Sequence, residues 1–254
     1  LVGSEMCIRD RFYIMNYIKG EAPSDNPPYH LDPEGMMGRA DSEKRRNVWI
    51  DWLFHLSNLH NLNLKDISLD DFCEENINEN PVISDIEYYK NFLDWGMDGE
   101  PNNLCDDVIK WLKKNIPSDS NPNKLCWGDS RLGNVLYQDY KAKALLDWEM
   151  SSIGDPVSDL AWGFAVDDAS SLGLGIKKLE GSLDSNEAID IWEENTNLSS
   201  KNYKFYRIFS LLKFSIIMIR VAKKLMINNI IELEKDFYKN NYISNFLEKE
   251  FKQI

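Results

Sequence analysis

Cysteine and histidine are scarce in this chain. Its four cysteines (Cys7, Cys73, Cys105, Cys126) lie far apart with no CxxC pair, and its three histidines (His30, His55, His60) complete no zinc-ligand pattern with them. That spacing argues against a disulfide framework and a structural zinc, and makes a reducing cytoplasm the expected compartment. Positive charge is also in short supply: 29 Lys and Arg stand against 42 Asp and Glu, a formal net charge of −13. Such a balance disfavours a nucleic-acid backbone or an anionic membrane surface as partner. Long hydrophobic runs are missing too. The most apolar stretch, Phe209 to Val221, is broken by Lys213 and Arg220 and is too short to span a bilayer, and no secretory signal is visible. Core-forming residues, by contrast, are plentiful: 43 % of the 254 residues are hydrophobic, including 8 Trp, 11 Tyr and 11 Phe, enough to bury a sizeable interior.

Residues 1–11 read LVGSEMCIRDR, and the MCIRDR core is similar to the translation of a transposon adapter used in sequencing libraries. They are set aside from fold reasoning, and on that reading the natural chain continues upstream. Phe12 to Ile18 (FYIMNYI) reads as a buried strand, followed by a Pro-rich loop over Ala22 to Pro33. Asp41 or Ser42 is positioned to cap a helix bearing Val48, Trp52, Leu56 and Leu59 at helical spacing. Further helices are expected over about 84–95, 104–115, 156–167, 186–196, 202–226 and 230–250. Leu125 to Trp127, Val135 to Tyr137 and Ala144 to Trp148 read as short strands around a loop.

The chemistry concentrates in CWGDSRLGNVLYQDYKAKALLDWEMSSIGDPVSDLAW, Cys126 to Trp162. Asp129 and Asn134 stand five residues apart across a Gly-containing loop, and Asp147 follows thirteen residues later at the end of a hairpin strand. Phosphoryl transfer needs a carboxylate to orient the attacking hydroxyl and oxygen ligands for the Mg²⁺ that bridges the phosphates. An Asp, an Asn and a second Asp in this order supply that set, and Mn²⁺ fits the same oxygens.

The segment resembles the catalytic core of the aminoglycoside phosphotransferase and choline-kinase-like family, in which a loop of the form HGDxxxxN precedes IDWE or IDxG. The matching residues are Trp127-Gly128-Asp129, Asn134 and Leu146-Asp147-Trp148-Glu149. WGDSRLGNVLY, LLDWEMSSIGDPVSDLAW and FYIMNYIKG are most similar to the kinase-like branch associated with acyl-CoA dehydrogenases. The resemblance implies an α+β, protein-kinase-like fold, mainly its helical C-lobe (21–254) behind a hinge strand (12–20), with the N-lobe largely missing. It implies Asp129 as catalytic base, Asn134 and Asp147 as Mg²⁺ ligands, and Met15, Asn16 and Ile18 against the adenine of ATP. Asp159 would brace the catalytic loop through backbone N–H groups, while Asp155 reads as a helix cap. Arg131 either neutralises the transferring phosphate or pairs with a nearby carboxylate; Glu149 either adds a water-mediated metal contact or stays in solvent. The family's loop His is Trp127 here, a departure at an architectural position.

The implied activity is transfer of the ATP γ-phosphate to a small-molecule hydroxyl. A hydroxy acid or hydroxyacyl-CoA is favoured over an aminoglycoside as acceptor, a non-catalytic binding module is the contrasting reading, and association with an acyl-CoA dehydrogenase is a possible partnership. In this fold a Gly-rich loop and a Lys–Glu pair precede the hinge. Neither occurs in the first eleven residues, and Gly173-Leu174-Gly175 lacks the third glycine, so this span is expected to be inactive or nearly so.

Overall fold

Side chains that capture free backbone N–H groups decide where the helices start. The computed structural model describes residues 16–66, 81–227 and 236–254. A short turn, α1 (Met36–Arg39), leads into α2 (Ser42–Asn61), whose cap Asp41 accepts from Lys44 N at 2.8 Å. Val48, Trp52, Leu56 and Leu59 of α2 are all buried, as their spacing predicts. Next come α3 (Pro81–Met97) and α4 (Asn103–Lys114), the latter capped by Asn102. Beyond the strands lie α5 (Val157–Ala169), α6 (Ser185–Thr196), α7 (Tyr203–Ile227) and α8 (Tyr242–Phe251). The cap position expected for Asp155 is held by Pro156; the Asp155 carboxylate, one residue earlier, accepts from Val157 N at 3.1 Å.

Two small antiparallel sheets interrupt the helices. β1 (Lys124–Cys126) pairs with β4 (Ser152–Gly154), and β2 (Val135–Gln138) pairs with β3 (Lys141–Leu145). The third strand lies earlier than Ala144 to Trp148. Asp139 and Tyr140 both take positive φ (51° and 60°), a two-residue turn that closes the hairpin at once, so pairing starts at Lys141.

Two other expectations change. The final helix does not run from 230: residues 228–235 lie outside the described residues, and α8 begins only at Tyr242. There Asn241 accepts from Ile243 N and Ser244 N while the Ser244 hydroxyl accepts from Asn241 N, a reciprocal cap that fixes the start. The strand Phe12 to Ile18 falls mostly outside the described residues. Its described end is not a strand; Asn16 to Gly20 are exposed and irregular, and pairing begins at Glu21, which exchanges two 2.8 Å backbone bonds with Tyr137. A strand needs a neighbouring ladder, and none of the described residues offers one to 16–20.

The interior is centred where α5 packs on α7. The α7 face made by Leu211, Leu212, Ser215, Ile216, Ile219 and Ala222 is buried throughout. Across it, Trp49 of α2 stacks on Phe164 of α5 (5.1 Å, 14°) and Trp52 meets the same ring edge-on. Gly163 allows this approach, because a Cβ there would lie 2.7 Å from the Trp52 ring. No helix among the described residues is long and apolar enough to cross a membrane.

Candidate active site

The loop leaving β1 is held from behind by one carboxylate. Asp159, in the first turn of α5 and 1 % exposed, accepts from Trp127 N at 2.6 Å and Gly128 N at 2.8 Å, the bracing role expected for it. Its Oδ2 also lies 3.1 Å from His60 Nε2, and Trp192 Nε1 donates to His60 Nδ1 at 2.9 Å. Since Nδ1 accepts, Nε2 carries the proton and donates to Asp159, so the neutral imidazole bridges α6 to the loop. Ser130 Oγ donates to the Asp159 carbonyl, and Trp52 Nε1 donates to Ser130 O. His60 therefore sits at a helix-packing interface, as expected.

In front of this brace, Asp129 is 8 % exposed and surrounded by donors. Oδ1 accepts from Trp162 Nε1 at 2.6 Å, Oδ2 from Asn134 Nδ2 at 2.7 Å, and Arg131 Nε lies 3.0–3.1 Å from both oxygens. Asn134 Nδ2 also reaches the Asp129 carbonyl at 3.0 Å, so its amide nitrogen is committed to the loop and Oδ1 is the acceptor left over. Arg131 pairs with carboxylates, one of the two readings open for it: besides Asp129, its Nη1 pairs with Asp25.

The hairpin delivers Asp147 to the same rim. Leu146 N donates to Asn134 O at 2.8 Å and Trp127 Nε1 donates to Leu146 O at 2.8 Å, so both the loop and its Trp hold the residue preceding Asp147. Trp127, standing where the family has His, is fully buried and serves as this tie. Asp147 takes a left-handed φ of 56° and is exposed, with no hydrogen bond or ion pair to a described residue. Glu149 is exposed as well.

Gly128 is what lets the two loops touch. Its φ is 88°, and a Cβ would lie 2.0 Å from Met150 O. Gly128→Ala is therefore expected to cost at least about 2 kcal/mol in urea unfolding, combining left-handed strain with a backbone clash; a loss below 0.5 kcal/mol, on the order of a neutral surface change, would contradict the close approach.

An amide oxygen and a carboxylate on one rim are hard donors that fit Mg²⁺, which keeps several waters and takes only one or two protein carboxylates. Among the described residues no cluster of three or more His, Cys, Asp or Glu could hold a metal ion by itself.

Of the residues expected against adenine, Met15 lies outside the described residues. Asn16 and Ile18 are exposed, and no hydrogen bond or ion pair among the described residues ties them to the loop. Sequence reading missed two participants: Trp162 and Asp25. Trp162 sits on a helix buried nearly all round and reads as core, so its Nε1 gives no signal. Asp25 lies in a Pro-rich loop, 106 residues from Arg131.

The profile of the phosphotransferase enzyme family matches residues 3–181. Acyl-CoA dehydrogenase family member 11 of Homo sapiens is 26 % identical over 162 residues, covering 61 % of this chain and 18 % of that protein. Acyl-CoA dehydrogenase family member 10 of Mus musculus is 24 % identical over 232 residues, covering 84 % and 20 %. The chain thus spans no more than 20 % of the length of either relative. Among solved structures, a protein of Ralstonia eutropha assigned to the aminoglycoside phosphotransferases superposes with a TM-score of 0.71 at 18 % identity, covering 94 % of this chain and 73 % of that one. Choline kinase of Cryptosporidium parvum gives a TM-score of 0.57 at 14 % identity, covering 93 % and 69 %. These likenesses establish a kinase-like fold. With the family profile matched over most of its length, the chain belongs to the phosphotransferase enzyme family.

Proposed function

We propose that this chain carries the acceptor side and metal side of an ATP-dependent phosphotransferase that delivers the γ-phosphoryl group to the hydroxyl of a hydroxy acid or hydroxyacyl-CoA. The observation that carries the reading is the joining of two loops: Asn134 hydrogen-bonds Asp129 through its side chain and Leu146 through its backbone, bringing Asp147 to the Asp129 rim. The acyl-CoA dehydrogenase relatives support the acceptor class.

Asp129 has the residue type and setting to take the acceptor hydroxyl's proton and aim its oxygen. Trp162, Arg131 and Asn134 fix the carboxylate's orientation beforehand, which is where much of the benefit in phosphoryl transfer lies. Asn134 Oδ1 and the Asp147 carboxylate would hold Mg²⁺, which when bound neutralises charge on the phosphates. Arg131 would meet a phosphoryl oxygen by releasing Asp25.

Metal binding tests the site without needing turnover. Mn²⁺ in the presence of ADP, followed by electron paramagnetic resonance, is expected to bind the wild-type chain, and Asp147→Ala is expected to weaken it by about tenfold or more. Equal affinity in both proteins would remove Asp147 from the metal site. Phosphorylation of kanamycin but of no hydroxy acid would overturn the acceptor class. Nucleotide binding without transfer to any acceptor would mark a non-catalytic module.

A further inference from the structure

Lys213 projects from α7 into an aromatic box. Its ammonium lies 5.1 Å from the Trp162 ring centroid and 5.4 Å from those of Tyr89 and Phe209. Ring faces attract a cation, yet they offer no strong acceptor for the three N–H groups of an ammonium. Among the described residues it makes no hydrogen bond and no ion pair, although it is only partly exposed. Asp85 and Asp155 line the adjoining pocket with it, but neither closes to an ion pair. Burial pushes the Asp85 carboxyl upward, with Lys213 pulling the other way. Asp155 Oδ1 is taken up by Asn121 Nδ2 and Val157 N. An ammonium that faces three rings and closes on no carboxylate among the described residues is open to an acceptor that a ligand brings.

Trp162 links this cation to the candidate chemistry. The same indole that lies beside Lys213 donates Nε1–H to Asp129 Oδ1 at 2.6 Å. End to end, the two contacts and the width of the indole put the ammonium no more than about 10 Å from the Asp129 carboxylate. Asp129 does not line the pocket beside Lys213, so a ligand that meets both groups has to extend past the Trp162 ring. The box carries a second message. Three aromatic faces around an empty space would suit an alkylammonium ligand, but here the chain's own cation fills that space and would repel another.

We propose that Lys213 is the specificity-determining residue of the acceptor site: it binds the carboxylate of a small hydroxy acid whose hydroxyl lies at Asp129, and it excludes amino alcohols and amino sugars. The assignment rests on Asp129 as the hydroxyl's partner, and it names the charge that the acceptor must carry.

Calorimetric titration tests it with 3-hydroxybutyrate, its methyl ester and choline, against the wild-type chain, Lys213→Met and Lys213→Arg. The expected result is binding of the acid to wild type, weakened about tenfold or more in Lys213→Met, kept within a few-fold in Lys213→Arg, and weaker for the ester than for the acid in wild type only. Choline is expected to bind Lys213→Met better than wild type. Circular dichroism melting of each variant checks that the fold is kept; should Lys213→Met fail to fold, the comparison of acid with ester in wild type decides. No acid binding by wild type, equal binding of acid and ester, or undiminished acid binding by folded Lys213→Met would each overturn the proposal. None of these readings needs nucleotide, so they stand or fall separately from phosphoryl transfer.

Discussion

Asp159→Ala is expected to lower the stability of the folded chain by about 3–5 kcal/mol, because three buried donors lose a charged acceptor at about 1–3 kcal/mol each. The carboxylate is 1 % exposed and takes hydrogen bonds from Trp127 N, Gly128 N and His60 Nε2. Removing it leaves these donors facing a cavity that water enters with difficulty, and each unpaired buried donor carries its full desolvation cost. The damage does not stop there. His60 also accepts from Trp192, so α6 loses its tie to the loop in the same stroke. Urea unfolding followed by tryptophan fluorescence reads the change, because Trp127 and Trp192 report from both ends of the network. A loss under about 1 kcal/mol, the scale of a single ordinary hydrogen bond, would mean that the loop does not depend on this brace.

Asp129→Asn is expected to cut phosphoryl transfer by about 10²–10⁴-fold, the span typical for loss of a general base. Asn nearly matches the shape of Asp but cannot take up a proton. Its amide nitrogen would also face a donor, either Trp162 Nε1 or Asn134 Nδ2, each now directed at a carboxylate oxygen. Some structural disturbance is therefore built into the variant, and Mn²⁺·ADP affinity serves as the control. Phosphorus NMR under single-turnover conditions separates the cases: lost transfer with retained metal–nucleotide binding supports a role at the hydroxyl, whereas unchanged transfer removes Asp129 from the chemistry.

Much of this was legible in local sequence. Helix α2 announced itself through Asp41 and the buried stripe from Val48 to Leu59, because caps and periodicity act within one or two turns. The spacing of Asp129, Asn134 and Asp147 pointed to one rim because a loop and a hairpin are short-range objects. Contacts that span the chain were not legible. Nothing around Trp162 distinguishes an indole that packs from one that also donates to a carboxylate 33 residues away. Lys213 looked like an interruption of an apolar run, and only the approach of Tyr89, Trp162 and Phe209 gives it an environment. The start of α8 misled for a local reason: Asn241 and Ser244 form the cap inside a stretch whose composition alone continues as helix.

The Asp25 contact with Arg131 makes the approach to the catalytic loop a matter of exchange. The guanidinium is already neutralised on both sides, by Asp129 beneath and by the linker carboxylate above. An incoming phosphoryl oxygen gains no fresh cation; it competes for one, and the net return is the difference between two ion pairs. Displacing Asp25 also frees the segment that leads to Glu21 and its backbone pairing with Tyr137. On the proposed role of Arg131, occupancy of the phosphate position and the tether of the N-terminal linker would be coupled through a single side chain, and whatever loosens one would be felt by the other.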